Sequence, residues 1–252
     1  MNDDECNGKL HGASIYRRSA SIYDDLSGAV KDYKSDARRI HSIIQDANQG
    51  ASSLLDVACG TGRHLEVLLH WYEVTGIDSS SEMLDVAGAR LPSTTLKQAD
   101  MVDFRLKERF DAIICMFSSI GYVMQLDRLR RAIANFGQHL NSGGVLVIEP
   151  WIAPEDYEEG RISAETISDD PQRQVCKMIV SRRKGRISIL DVHRLIGTPF
   201  GFDYFVGTHT LGLFSAEEYK LMLEGAGFKV EHDKEGPMGR GLYVGVRQSR
   251  RV

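Results

Sequence analysis

The chain has 252 residues, 42% of them hydrophobic and 26% charged, which suits a folded protein with room for one large domain or two small ones. Its 31 basic residues against 35 acidic ones leave a formal charge of −4, the wrong sign for a protein that binds nucleic acid through counterion release. No apolar run approaches the roughly 20 residues of a membrane span, the acidic opening Met1-Asn-Asp-Asp-Glu5 is not a secretory signal, and Cys6, Cys59, Cys115 and Cys176 are too scattered for a disulfide framework or zinc knuckle. These features predict a soluble, cytoplasmic protein with neither nucleic-acid nor membrane partners.

From the N-terminus, residues 14–47 carry apolar side chains at helical spacing (Ile22, Leu26, Val30; Ile40, Ile43, Ile44), which predicts two helices. A short apolar strand at 53–58 runs into Cys59-Gly60-Thr61-Gly62. A helical pattern (Leu65, Leu68, Leu69) and a strand at 73–78 follow. The alternation continues with a helix at 81–90, strands at 95–98 and 112–116, a helix at 126–140 and a strand at 145–149. Unbroken apolar strands alternating with helices predict a parallel sheet covered on both faces.

Beyond Trp151 the pattern changes. Residues 175–181, 187–196 and 202–214 alternate β-branched or aromatic residues with polar ones, and Lys184-Gly185 marks a turn, so an antiparallel insert is expected over 151–214. Ser215-Ala-Glu-Glu218 is a capping box opening a helix that ends at Gly225-Ala-Gly227. Strands at 229–232 and 241–246 close the chain. The predicted fold is α/β: a Rossmann-like seven-strand sheet over 1–150, completed by 215–252, with the insert between them.

The segment Asp56-Val-Ala-Cys-Gly60-Thr-Gly62 is a glycine-rich strand-to-helix turn, which lets a ligand approach the backbone at the carboxyl end of a strand. Asp78 ends the next strand, where a carboxylate suits the two hydroxyls of a ribose. Asp100 ends the third, placed to accept from an adenine amino group while Met101 packs on the ring. A dinucleotide fingerprint needs a third small residue, and that position is Leu65. The missing small residue and the extra acid favour S-adenosylmethionine (SAM) as the adenosyl cofactor.

With these residues in place, the sequence resembles the class I SAM-dependent methyltransferases. More narrowly it resembles the sugar-nucleotide N,N-dimethyltransferases that finish amino sugars such as desosamine and mycaminose. The segments carrying the likeness are Ser52-Ser-Leu-Leu-Asp-Val-Ala-Cys-Gly-Thr-Gly62, Cys115-Met-Phe-Ser-Ser-Ile-Gly121, Glu149-Pro-Trp151 and Gly239-Arg-Gly-Leu242. Ala58 replaces a glycine of the wider superfamily and suits this subgroup. The resemblance implies a SAM-dependent N-methyltransferase that adds methyl groups, two in succession, to a dTDP-linked amino-deoxysugar in natural-product biosynthesis. It also implies a homodimer formed with the help of the insert.

The same likeness assigns residues. Asp56, Ala58, Gly60, Gly62, Asp78, Ser79, Asp100, Met101 and Met116 would hold the cofactor. Tyr23 and Tyr33, matching Tyr-Asp and Lys-Asp-Tyr positions of the family, would contact its methionine end. The acceptor would lie over 117–122, with Ser118 and Ser119 lining it. Tyr122 stands where the desosamine- and mycaminose-type enzymes have a histidine. A phenol of pKa about 10 is a poor base at neutral pH, so Tyr122 is expected to orient the amine. Tyr16 matches, after a one-residue gap, a tyrosine folded over cofactor and acceptor. Glu149 and Trp151 would face the sugar, with Ile152 in place of a second tryptophan. His209 matches a histidine of the family's insert and is a candidate acceptor contact. Arg240, in a Gly-rich loop, would clasp the substrate diphosphate. The run Arg182–Arg186 is expected to be a solvated hairpin tip. No histidine has metal-ligand spacing, so no metal is predicted. The other readings open at this stage are a methyltransferase of another small amine or hydroxyl acceptor, and a SAM-binding protein without catalysis.

Overall fold

In the computed structural model the described residues are 10–11, 32–167, 170 and 172–249. The first expected N-terminal helix, and with it Tyr16 and Tyr23, lies outside them.

In chain order the elements are β1 (Leu10–His11), α1 (Tyr33–Ala47), β2 (Ser53–Val57), α2 (Arg63–Leu68), β3 (Glu73–Asp78), α3 (Ser81–Arg90), β4 (Thr95–Gln98) and β5 (Phe110–Cys115). A 3₁₀ turn (Ser119–Val123), α4 (Leu126–His139), β6 (Leu140–Ile148), β7 (Ile162–Thr166), β8 (Gln174–Lys184), β9 (Ile187–Thr198) and β10 (Gly201–Gly212) follow. The chain closes with α5 (Ala216–Gly225), β11 (Phe228–Asp233) and β12 (Leu242–Arg247).

Seven strands form the main sheet in the order β11-β12-β6-β5-β2-β3-β4, parallel except at β12, which runs antiparallel to both neighbours. The chain winds outward through β2, β3 and β4, then returns to the other side of β2 with β5 and β6. The winding therefore reverses between β2 and β5, and ligands of open α/β sheets bind at the carboxyl ends of such a pair.

The apolar strand runs explain why both faces are covered. Leu55, Val57, Ile113, Cys115, Leu146 and Ile148 pack in one cluster with Leu129, Ile133 and Phe136 of α4 and Tyr219 and Leu223 of α5. Their neighbours Leu54, Ala112, Ile114, Val145 and Val147 point the other way, against Ile40 and Ile44 of α1 and Leu65 and Leu68 of α2. This is the period-two alternation of a strand, and each Val, Leu, Ile or Phe side chain so buried contributes about 1.5–3 kcal/mol. Asp32 caps α1 by accepting the Lys34 and Ser35 N–H groups at 3.1 and 3.0 Å. The capping box opening α5 is present in both halves.

The insert is a separate sheet, β1-β10-β9-β8-β7, antiparallel throughout except that β1 runs parallel to β10. Three findings differ from expectation. Strand β7 was not foreseen, because Ile-Ser-Ala-Glu-Thr is an exposed edge without alternation of burial. Asn141-Ser-Gly-Gly144, a turn by composition, lies inside β6, whose ladder with β5 begins at Phe110 opposite Leu140. The arginine run 182–186 is the exposed hairpin tip expected, turning at Gly185-Arg186, but its arginines are also paired, which was not expected. Arg182 pairs with Asp191, Arg183 donates to the Pro154 carbonyl at 3.0 Å, and Arg186 grips Glu218 of α5 through two nitrogens at 2.8 and 2.6 Å. The first two contacts brace the insert itself, and the Arg186–Glu218 pair fastens it to the core. A charge run carries no record of carboxylates and carbonyls that the fold brings beside it.

Candidate active site

The loop after β2 is shaped by backbone conformations that L residues rarely adopt. Ala58, Gly60 and Gly62 have φ of 62°, 55° and 77°. Gly62 is the N-cap of α2, and a Cβ there would stand 3.0 Å from Leu91 Cδ1 and 3.3 Å from Ala87 Cβ, so both the backbone and α3 require glycine. Asp78 holds the loop open. Its Oδ2 accepts the Gly60 N–H at 2.8 Å and its Oδ1 accepts the Ser80 N–H at 2.9 Å. Burial raises the Asp78 carboxyl above its usual range, and the N–H donors of Ser80, Gly60 and Ser79 pull it back. Arg90 of α3 donates to the Thr61 carbonyl and lies 3.5 Å from Glu66, bracing the loop from the far side.

Beside this loop lies a cavity of about 110 Å³ lined by Ala58, Asp78, Ser79, Ala99, Asp100, Met101, Tyr122, Val123 and Arg128. The predicted acids at the ends of β3 and β4 therefore meet. Asp100 accepts the Val102 N–H at 2.9 Å through Oδ1 and pairs with Arg128 at 2.8 Å through Oδ2, which fixes the carboxylate at the cavity edge. The donor set fits an adenosyl group: a fixed carboxylate for vicinal hydroxyls, a second for an exocyclic amine, and Met101 for a ring face. Asp56 and Met116, expected cofactor contacts, are buried at 2% and 3% exposure and do not line this cavity. Tyr33 opens α1 with its ring edge-on to His64 at 5.1 Å, beside α2. Burial, together with the charges of Asp56 and Asp78, pushes the Cys59 thiol well up. Burial, Asp56 and Glu149 do the same to Cys115, so neither is a ready nucleophile.

The segment after β5 is equally shaped. Phe117 and Ser118 have φ of 55° and 60°, a conformation that costs on the order of 1–3 kcal/mol per residue. Two bonds from the end of β6 hold it: the Phe117 N–H to Glu149 Oε2 and the Ser118 hydroxyl to the Pro150 carbonyl, both 2.7 Å. Glu149 is wholly buried and in this structure supports the turn from below. Arg240 Nη1 donates to Ser118 Oγ at 3.1 Å, and its guanidinium carbon lies 4.6 Å from the centre of the Trp151 ring. Burial works against the Arg240 charge and the Glu149 carboxylate works for it. Trp151 in turn donates from Nε1 to Ser188 Oγ of β9 at 2.9 Å. Ser119 begins the 3₁₀ turn, and Gly121 within it packs so tightly that a Cβ would stand 2.9 Å from Leu211 Cδ2 and 3.2 Å from Trp151 Cβ. Tyr122 Oη and His209 Nδ1 of β10 are 2.7 Å apart. Burial, then the charges of Arg194 and Lys177, lower the His209 pKa to about 4.

Of the predicted acceptor residues, the structure thus links Ser118, Glu149, Trp151 and Arg240 into one chain of contacts and couples Tyr122 to His209. Arg128, Ala99, Val123, Arg90 and Ser188 were not foreseen. The first-turn arginine Arg128 looks like any exposed helical arginine in the sequence, and Ser188 like any polar strand residue. Among the described residues no cluster of three or more His, Cys, Asp or Glu side chains is placed to hold a metal ion, and no helix is long and apolar enough to cross a membrane.

A seven-strand sheet with its last strand reversed, a glycine loop at the switch point and a loop-bound carboxylate ending the next strand define a SAM-dependent methyltransferase. Residues 54–144 match the model of a methyltransferase domain. The chain is 42% identical to the dTDP-3-amino-3,4,6-trideoxy-alpha-D-glucopyranose N,N-dimethyltransferase of Streptomyces venezuelae, over 90% of this chain and 97% of that one. It is 36% identical to the dTDP-4-amino-2,3,4,6-tetradeoxy-D-glucose N,N-dimethyltransferase of Saccharopolyspora spinosa, over 93% and 95%. The SAM-bound structure of an amino pentose methyltransferase from Micromonospora echinaspora superposes with a TM-score of 0.85 at 32% identity, covering 90% of this chain and 97% of that one. The chain belongs to the family of SAM-dependent sugar N,N-dimethyltransferases.

Proposed function

We propose that this enzyme methylates the amino group of a dTDP-linked amino-deoxysugar, twice in succession. The observation that carries the reading is the joining of Arg240, Trp151 and Ser118 at the ends of β5 and β6, next to the turn that brings Tyr122 to the cofactor cavity. The sugars for which the two dimethyltransferase relatives are named support it. SAM supplies an electrophilic methyl carbon on a sulfonium. The protein's residues then have to seat a neutral amine behind that carbon and keep water out.

Asp78, the glycine loop, Ser79, Asp100 and Met101 bind the adenosyl part, with Asp56 and Met116 supporting them and Tyr33 at the methionine end. Arg240, its side chain fixed against Trp151, offers guanidinium donors to the diphosphate. Ser118 and Ser119 border the sugar, and Tyr122 orients the amine. The insert over 151–214 acts as the acceptor lid and as the contact surface of a cytoplasmic homodimer. Supporting the dimer, Ile162, Met178, Leu195, Phe200, Phe202 and Tyr204 are exposed on it, Phe200 at 99% and Phe202 at 79%.

Steady-state kinetics of Arg240→Ala test the reading. Its KM for a dTDP-amino sugar should rise about tenfold or more, the loss of one charge-assisted contact, with unchanged affinity for SAM. An unchanged KM would refute the nucleotide-sugar assignment.

A further inference from the structure

Tyr122 stands where the two sheets meet. It lines the cofactor cavity, it belongs to the 3₁₀ turn after β5, and its hydroxyl oxygen lies 2.7 Å from Nδ1 of His209 on β10. We infer that His209 is a positioning residue for methyl transfer: it accepts the Tyr122 hydroxyl hydrogen, turning the lone pairs of the phenol oxygen toward an N–H of the acceptor amine. The inference rests on the amine-acceptor reading above and deepens it.

The direction of the hydrogen bond matters chemically. If Nδ1 carried the hydrogen and donated it, the Tyr122 O–H would be available to the amine lone pair, the same pair that must attack the methyl carbon. If Tyr122 donates to Nδ1, the phenol oxygen accepts from the amine and leaves that pair exposed. This requires neutral imidazole with Nδ1 bare. The surroundings favour the neutral ring: His209 is half-buried, and Arg194 of β9 and Lys177 of β8 bring positive charge, Lys177 being paired in turn with Glu165 of β7; on this inference the ring hydrogen sits on Nε2. An imidazole held neutral down to about pH 4 cannot take a proton from an alkylammonium ion at neutral pH. His209 is therefore not the base, and the amine gives its proton to solvent before it is seated.

The contact also sets how many methyls are added. A primary amine offers two N–H groups and a monomethylamine one. In each transfer the nitrogen pair forms the N–C bond while the S–C bond breaks with its pair on sulfur, and the ammonium proton then passes to water. A third transfer would need the neutral tertiary amine, which has no hydrogen for Tyr122 to accept. The same phenol oxygen thus serves two transfers and not a third.

The test follows mono- and dimethylated products by mass spectrometry with saturating SAM and dTDP-3-amino- and dTDP-4-amino-hexoses in parallel, for wild type, Tyr122→Phe, His209→Leu, His209→Asn and the Tyr122→Phe/His209→Leu double variant. His209→Leu should slow both transfers about tenfold, one hydrogen bond's worth, and accumulate monomethyl sugar. His209→Asn, whose Oδ1 stands near the position of Nδ1, should recover most of the rate. In the Tyr122→Phe background, His209→Leu should cost nothing further. Nitrogen NMR of ¹⁵N-histidine-labelled wild type should show His209 neutral at pH 5 with Nδ1 unprotonated. Additive losses in the double variant, an Asn variant as slow as the Leu variant, or a protonated Nδ1 would overturn the assignment. A wild type that methylates no such sugar overturns the acceptor reading itself, and this role with it, an outcome separate from loss of the coupling.

Discussion

The two sides of the proposed site are built by different means. In the main sheet, the cofactor side is built from residues near in sequence and fixed by backbone: Asp78 accepts from Gly60 and Ser80, Asp100 accepts from Val102, and the loop takes positive φ at Ala58, Gly60 and Gly62. Where the main sheet meets the insert, the proposed acceptor region is built from side chains far apart in sequence. Arg240 reaches Ser118, Trp151 reaches Ser188, and Tyr122 meets His209. The first arrangement tolerates little change and suits one invariant ligand. The second can be altered one side chain at a time without disturbing the backbone that carries the first.

Four perturbations separate the halves. The largest effect is expected from Asp78→Ala, which removes the ribose carboxylate and the anchor of Gly60. SAM affinity by calorimetry should fall on the order of 100-fold, with the sheet still folded by circular dichroism. Unchanged affinity would remove Asp78 from the cofactor site. Next, Gly121→Ala pushes a Cβ into Leu211 and Trp151 at the junction. It should cost about 1–3 kcal/mol by denaturant unfolding and raise the acceptor KM while leaving SAM binding intact. A variant as stable as wild type would show the junction to be looser than its contacts imply.

A smaller effect is expected from Arg186→Ala, which cuts the insert's ion pair to Glu218 on α5. This exposed pair is worth under about 1 kcal/mol, so melting should move slightly and the acceptor KM more than the SAM affinity. The last effect appears only when pH is changed. His209 refuses a proton until about pH 4, whereas the unfolded chain takes one near pH 6.5. Between those values the unfolded state binds more protons, so His209 makes stability fall as pH falls through that window. Denaturant unfolding of His209→Asn should show a shallower decline from pH 6.5 to 4 than wild type, and identical slopes would remove the buried neutral histidine from the account.

The same contrast explains what the sequence disclosed. Asp78 and the glycine loop could be read because an apolar strand run ends at each, and strand ends at the switch point are where such sheets bind. The sheet itself was legible from residues such as Ala112–Met116 and Val145–Ile148, whose unbroken apolar runs, alternating with helical patterns, suit strands covered on both faces. The partnership of Asp100 with Arg128 was not legible, since helix α4 brings together residues 28 apart whose local patterns are independent. Strand β7 was hidden by its exposure, and the pairings of the arginines at 182–186 were not legible because their partners lie on β9, on α5 and after β6. The match of Tyr122 and His209 to family positions marked both residues, but only the fold shows that they touch.

The most direct test of the central claim is mass spectrometry of the purified enzyme incubated with SAM and, in parallel, dTDP-3-amino- and dTDP-4-amino-hexoses. A gain of two methyl groups on one of these sugars, through a monomethyl intermediate, is the expected result. No mass gain on either, from protein that binds SAM, would contradict the claim.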